Sequence, residues 1–153
     1  MKESLASHIL RYTLYGVFIL AVFLTVTLPF MLDYYFGLLY DFYYALRPNY
    51  RAFIMPFLMF VGVCGAWIVF EMIRMLHTVS TNPFITRNVR ALKRVGLILL
   101  ALSLVFFAKC FLYNTFLTMV GVVIFFIACL FAFTLASLFS QAVAFREEND
   151  LTI

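Results

Sequence analysis

The sequence predicts an all-α integral membrane protein: a four-transmembrane-helix bundle with its N- and C-termini in the cytoplasm. Three observations predict this class. Hydrophobic residues make up 66% of the chain and charged residues only 12%, whereas about a quarter of an ordinary soluble domain is charged. Several uncharged runs are long enough to cross a hydrocarbon core about 30 Å thick. The basic residues collect at the ends of these runs, where they act as orientation signals.

A single membrane domain with four spans is expected. The spans cover about residues 12–32, 52–76, 95–113 and 116–140, separated by an outer loop at 33–51 and a cytoplasmic loop at 77–94, with a cytoplasmic tail at 141–153. The first span lacks a small-residue cleavage site, so we expect it to be retained. Small residues predict close helix packing at Gly62 and Ala66, and along a stripe from Gly121 to Ser140.

The boundary between the last two spans rests on one polar point. From Val95 to Phe145 the only fully charged residue is Lys109, and one helix of that length would extend about 75 Å. The chain must therefore fold back, and we place a tight turn near residues 113–115. Lys109 is expected to snorkel outward to the headgroups.

The positive-inside rule predicts the orientation. Four crossings place eight basic residues on the side of both termini: Lys2, Arg11, Arg74, Arg87, Arg90, Lys93, Arg94 and Arg146. Three lie on the other side: Arg47, Arg51 and Lys109. The richer side is therefore expected to be the cytoplasmic side.

The cytoplasmic loop contains the densest basic stretch. Asn82 suits a helix N-cap and Pro83 the first helical position, while Thr86 offers a second cap one turn later. From Arg87 onward, apolar residues recur every three to four positions with bases between them, which is typical of an amphipathic helix. Its bases would contact phosphates or the acids of a partner.

These residues resemble a known family. Asn82-Pro83-Phe84, the basic helix from Arg90 to Gly96, and the C-terminal pattern Glu147, Glu148 and Asp150 to Ile153 are similar to the bacterial membrane-protein family DUF2975. The resemblance implies four helices, a location in the bacterial plasma membrane and no assigned enzymatic activity. Many members are encoded beside a small helix-turn-helix regulator of the Cro/C1 type, which implies a membrane-bound partner for a DNA-binding protein. The resemblance supplies no catalytic residues.

The leading functional hypothesis is a non-enzymatic interaction protein whose cytoplasmic face binds a cytosolic partner, such as that regulator. The candidate partner-binding residues are Asn82, Pro83, Phe84, Arg87, Arg90, Lys93, Arg94, Glu147, Glu148, Asp150, Leu151 and Ile153. The C-terminal Leu-Thr-Ile could add as a strand or fill an apolar groove. An equally open alternative is that the acidic tail pairs with the basic stretch of its own chain as an internal clasp.

Two further hypotheses belong to other classes. The outer loop is rich in tyrosine, and Tyr40, Tyr43 and Tyr44 could engage a peptide or lipid in an immunity or stress-protection role, although an aromatic belt at the headgroups explains them too. A small-molecule transporter, or a pore formed by a homo-oligomer, is the third hypothesis.

Enzymatic chemistry, cofactors and metals are not expected. The spans show neither a carboxylate pair nor an HExxH motif, and we interpret Glu71 and Arg74 as a structural pair on one helix face near the membrane surface. Cys64, Cys110 and Cys129 lack metal-ligand spacing. Packing roles are expected for Cys64 and Cys129, whereas Cys110, near a helix end, is expected to be more accessible. Direct nucleic-acid binding is not expected either, because the bases lie at span ends.

Overall fold

The computed structural model of the chain describes residues 5–38, 50–79, 85–113 and 115–151. These residues form four helices: α1 (Leu5–Leu38), α2 (Tyr50–Val79), α3 (Thr86–Leu112) and α4 (Phe116–Leu151). No strand occurs within the described ranges. Each helix contains a segment long and apolar enough to cross a membrane. For this part of the chain, the predicted all-α class is therefore confirmed, together with four helices that are long and apolar enough to span a membrane.

The helices are longer than the predicted membrane spans. α1 continues to Leu38, α3 already begins at Thr86, and α4 continues to Leu151. The added segments of α3 and α4 contain several Arg, Lys, Gln or Glu residues, which are strong helix formers. A charged residue ends the hydrocarbon-compatible run but does not end the helix, so the predicted tail is helical through Leu151.

The chain divides into two compact units, which are described separately. The first unit, Tyr12–Phe70, consists of most of α1 and the first two-thirds of α2. Its helices approach closely at Gly62, where an added Cβ would lie 2.5 Å from Thr25 Oγ1. The rings of Phe18 and Phe70 also contact each other, with centroids 6.2 Å apart. Gly62 therefore provides the close helix approach that the sequence predicts.

The second unit consists of Met1–Arg11 and Glu71–Ile153 and contains the α3–α4 hairpin. Ser103 Oγ donates to the Val122 carbonyl at 3.2 Å, so the two antiparallel helices share a hydrogen bond. Phe106 lies against Gly121 and meets Phe125 edge-to-face, with centroids 5.0 Å apart. The buried apolar residues of α4 are Cys129, Ala132 and Ala136. Small α4 side chains thus let α3 come close.

The hairpin turn is stabilised by polar contacts that include a buried lysine. Lys109 Nζ donates to Thr118 Oγ1 at 2.8 Å, and the hydroxyls of Thr115 and Thr118 lie 2.6 Å apart. Lys109 is only 7% exposed. The expectation that Lys109 snorkels outward is therefore wrong: its ammonium reaches back across the turn and donates to a buried hydroxyl of α4.

Candidate functional site

The start of α3 presents a one-sided basic surface. Ile85 occupies the N-cap position with extended backbone and no side-chain cap, so Thr86 is the first helical residue rather than the cap. The exposed bases of the first three turns, which we call the basic face, are Arg87, Arg90, Lys93 and Arg94. The buried residues between them are Asn88, Val89, Ala91 and Leu92. The structure thus shows the amphipathic helix that the spacing predicts.

Arg94 makes an ion pair with a carboxylate from another helix. Its Nη1 lies 3.3 Å from Glu71 Oε1, and both residues belong to the second unit. The Glu71 side chain is 2% exposed, whereas that of Arg94 is 47% exposed. The sequence predicts that Arg74, one turn along α2, pairs with Glu71. In the structure, Glu71 forms an ion pair with Arg94 of α3 instead.

The Glu71 carboxylate depends strongly on this one guanidinium. Its second oxygen, Oε2, is buried and has no hydrogen-bond partner among the described residues. Leaving a buried charge without its partner costs about 3–5 kcal/mol, whereas an exposed ion pair contributes only about 0–1 kcal/mol. An anion from solution therefore binds Arg94 less favourably than the Glu71 carboxylate does. Arg94 is therefore held by Glu71, whereas the described residues show no ion pair for Arg87, Arg90 or Lys93.

The acidic end of α4 projects past the basic face. Three contacts set the antiparallel register, namely Lys109 with Thr118, Phe106 with Gly121, and Gly96 with Phe133. This register places Arg87 level with about residue 140, so the last ten or so residues of α4 extend roughly 15 Å beyond the start of α3. We call residues 141–151 the α4 extension.

The α4 extension bears on the two arrangements that the sequence left open. Glu147 and Glu148 are exposed and lie on a continuous helix. By the register, they lie beyond the first turn of α3 rather than opposite its bases. Arg94 pairs with Glu71 rather than with either tail acid. The described residues therefore show no contact of Glu147 with the basic face. A clasp onto the Asn82-Pro83-Phe84 segment falls outside the described residues and stays a prediction.

Several predicted site residues lie outside the described residues. These are Asn82, Pro83 and Phe84 before α3, Tyr40, Tyr43 and Tyr44 of the outer loop, and Ile153. Asp150 and Leu151 are placed as backbone of α4 only. The contacts predicted for all of these residues stay predictions.

The first unit contains an apolar groove that the sequence did not reveal. It measures about 500 Å³ and lies between α1 and α2. Its lining residues are Phe18, Val22, Thr25, Val26, Met59, Val63, Ala66, Trp67 and Phe70. Periodicity within one helix cannot show such a groove, because residues of two helices line it. Its walls offer no ionisable group and therefore no acid–base chemistry.

The chemistry available at the basic face is charge recognition. Among the described residues, no group of three His, Cys, Asp or Glu side chains could hold a metal ion. The exposed guanidinium and ammonium groups of the basic face can bind carboxylates or phosphates.

Comparison with known proteins identifies the family. No match was found among the curated proteins or among the solved structures. The sequence does match the family described as protein of unknown function (DUF2975) over residues 4–153, which is nearly the full chain. The four long apolar helices described above agree with the helix number implied by the resemblance. The chain therefore belongs to the DUF2975 family.

Proposed function

We propose that this chain is a non-enzymatic protein of the bacterial plasma membrane that docks a cytosolic protein partner. The docking surface consists of the available bases Arg87, Arg90 and Lys93 together with the α4 extension. The partner we propose is a small helix-turn-helix regulator, which would be held at the membrane and away from DNA. Both termini and the docking surface lie in the cytoplasm in this proposal, as the positive-inside rule predicts.

The observation that carries the proposal is the one-sided exposure of these bases. Their helix buries its opposite face, including Asn88, which is 1% exposed. A helix fixed in this way presents its charged groups in a constant direction, so little conformational entropy is lost when a partner binds. The α4 extension adds an exposed acidic helix segment beyond the same end of α3. Two charged elements of opposite sign give a surface that can select one partner orientation.

The same bases could contact bilayer headgroups instead of a protein partner. A binding experiment distinguishes these two possibilities. The purified full chain in zwitterionic detergent is mixed with the purified small helix-turn-helix regulator that we propose as its partner. We expect a complex with the wild-type chain. We expect at least about tenfold weaker binding for the triple variant R87Q/R90Q/K93Q, which corresponds to about 1.4 kcal/mol.

Two control variants make the result specific. R87K/R90K keeps every charge, so we expect binding within about threefold of wild type if long-range charge attraction dominates. A chain truncated after residue 144 keeps all four predicted spans but loses the acids of the α4 extension, and we expect it to bind more weakly. If the wild-type chain does not bind the regulator, or the triple variant binds as tightly as wild type, the proposal is wrong.

A further inference from the structure

We propose that Glu71 is a positioning residue that withholds Arg94 from the docking surface, so that a partner meets three bases rather than four. This inference rests on the proposed function, because it specifies which bases of that surface bind an anionic group. It assigns a role to a buried carboxylate near the end of a membrane-spanning helix. Ionisable residues in such segments are expensive to bury and usually have a specific role.

The first step of the argument is the position of Arg94 on α3. Arg87, Arg90 and Arg94 recur at three and four residues, so they lie along one stripe of the helix. Position alone would therefore make Arg94 a member of the anion-binding set. Its side chain is nearly half exposed, so burial does not remove it from that set.

The second step is what the Glu71 carboxylate does to that guanidinium. Glu71 Oε1 lies 3.3 Å from Arg94 Nη1 and neutralises the charge at this end of the stripe. A second anion on Arg94 would also be repelled by the Glu71 carboxylate. The free energy that an exposed anion gains by pairing with Arg94 is smaller than the free energy that the buried carboxylate loses without it. Glu71 therefore retains Arg94, while Arg87, Arg90 and Lys93 stay available.

The third step is the consequence of neutralising Glu71. With an uncharged isostere in its place, Arg94 keeps its half-exposed position but has no competing internal anion. Arg94 would then join Arg87 and Arg90 in binding an external anion. The number of bases that a partner meets thus depends on one carboxylate beneath the surface.

Arginine side-chain NMR can test this without any protein partner. The full chain, labelled with ¹⁵N-arginine in zwitterionic micelles, is titrated with inorganic pyrophosphate while the Nε–H signal of each arginine is followed. In the wild-type chain we expect Arg87 and Arg90 to respond together. We expect Arg94 to bind at least about tenfold more weakly, which is about 1.4 kcal/mol. In Glu71→Gln we expect the affinity at Arg94 to come within about threefold of that at Arg87.

The outcomes are separable. An equal response of Arg94 and Arg87 in the wild-type chain, or no response at Arg87, would overturn the inference. The inference would also be overturned if the Arg94 signal of Glu71→Gln did not respond to pyrophosphate while the Arg87 and Arg90 signals kept their wild-type positions. If Glu71→Gln does not fold, arginine modification by butanedione in the wild-type chain decides: pyrophosphate should protect Arg87 and Arg90 but not Arg94, and equal protection refutes the inference. If the chain did not bind the regulator, the proposed function would be wrong, but the arginine NMR results would be unchanged.

Discussion

At the residue scale, two glycines on α2 differ in what surrounds them. At Gly62 an added Cβ would lie 2.5 Å from Thr25 Oγ1 and 2.9 Å from Thr25 Cγ2, whereas at Gly65 nothing lies within 4 Å. Thr25 cannot turn aside easily. It is β-branched and therefore stiff at χ1, and its hydroxyl donates to the Ala21 carbonyl at 2.7 Å. Only Gly62 is thus required for the approach of α1 and α2.

We expect Gly62→Ala to destabilise the chain by about 1–3 kcal/mol, the range typical of overpacking a tight contact. Gly65→Ala is the matched control on the same helix. It should leave stability unchanged or raise it by up to about 1 kcal/mol, because Ala is the better helix former. The free energy of unfolding of both variants in detergent micelles is the measurement. Equal effects of the two substitutions would show that α1 and α2 do not meet at Gly62.

The charged residues show where sequence reasoning stops at this scale. Glu71 is correctly expected to be paired, because an acid near a span end needs a partner, but the sequence points to Arg74 within one turn. The actual partner, Arg94, is on another helix. Lys109 is similar: its neighbour Thr118 lies across a turn. A periodic pattern identifies neighbours along one helix, whereas both of these partners depend on how two helices pack.

At the element scale, the α3–α4 hairpin has its polar contacts at the turn and its small-residue contacts along the helices. Thr115 directly precedes α4, and its carbonyl accepts hydrogen bonds from the backbone N–H groups of Thr118 and Met119, at 2.8 and 3.3 Å. Its hydroxyl also meets that of Thr118, which accepts from Lys109. The first turn of α4 and the last turn of α3 are thereby joined through side chains.

We expect Thr118→Val to destabilise the hairpin by about 1–3 kcal/mol, because it removes a hydrogen bond to a buried charged group while keeping the side-chain volume. Thr134→Val is the matched control. The Thr134 hydroxyl is exposed and bonds only its own helix, at the Leu130 carbonyl 2.8 Å away, so its loss should cost less than about 0.5 kcal/mol. Unfolding in detergent measures both. A Thr118→Val chain as stable as Thr134→Val would mean that the Lys109 contact does not stabilise the turn.

The elements themselves follow largely from the sequence. The turn predicted near residues 113–115 coincides with the end of α3 and the start of α4. A turn is needed there because the two apolar runs together are too long to cross a membrane as one helix. Helix length could not be read in the same way. Hydropathy shows where the hydrocarbon-compatible segment ends, but residues 86–94 and 141–151 continue the helical backbone with polar side chains. The sequence therefore identifies the acids of the α4 extension as candidate binding residues, but their continuous helical backbone is seen only in the structure.

At the scale of the whole molecule, the proposed docking surface needs both chain ends in the cytoplasm. Eight basic residues are predicted on that side and three on the other. R87Q/R90Q/K93Q leaves five against three, so the bias keeps its sign and we expect the orientation to be retained. A reporter fused after Ile153 should be active inside the cell for the wild-type chain and for this variant alike. Loss of partner binding in the variant would then reflect the missing bases rather than an inverted chain. An external reporter on the wild-type chain would place the basic face outside the cell and exclude any cytosolic partner.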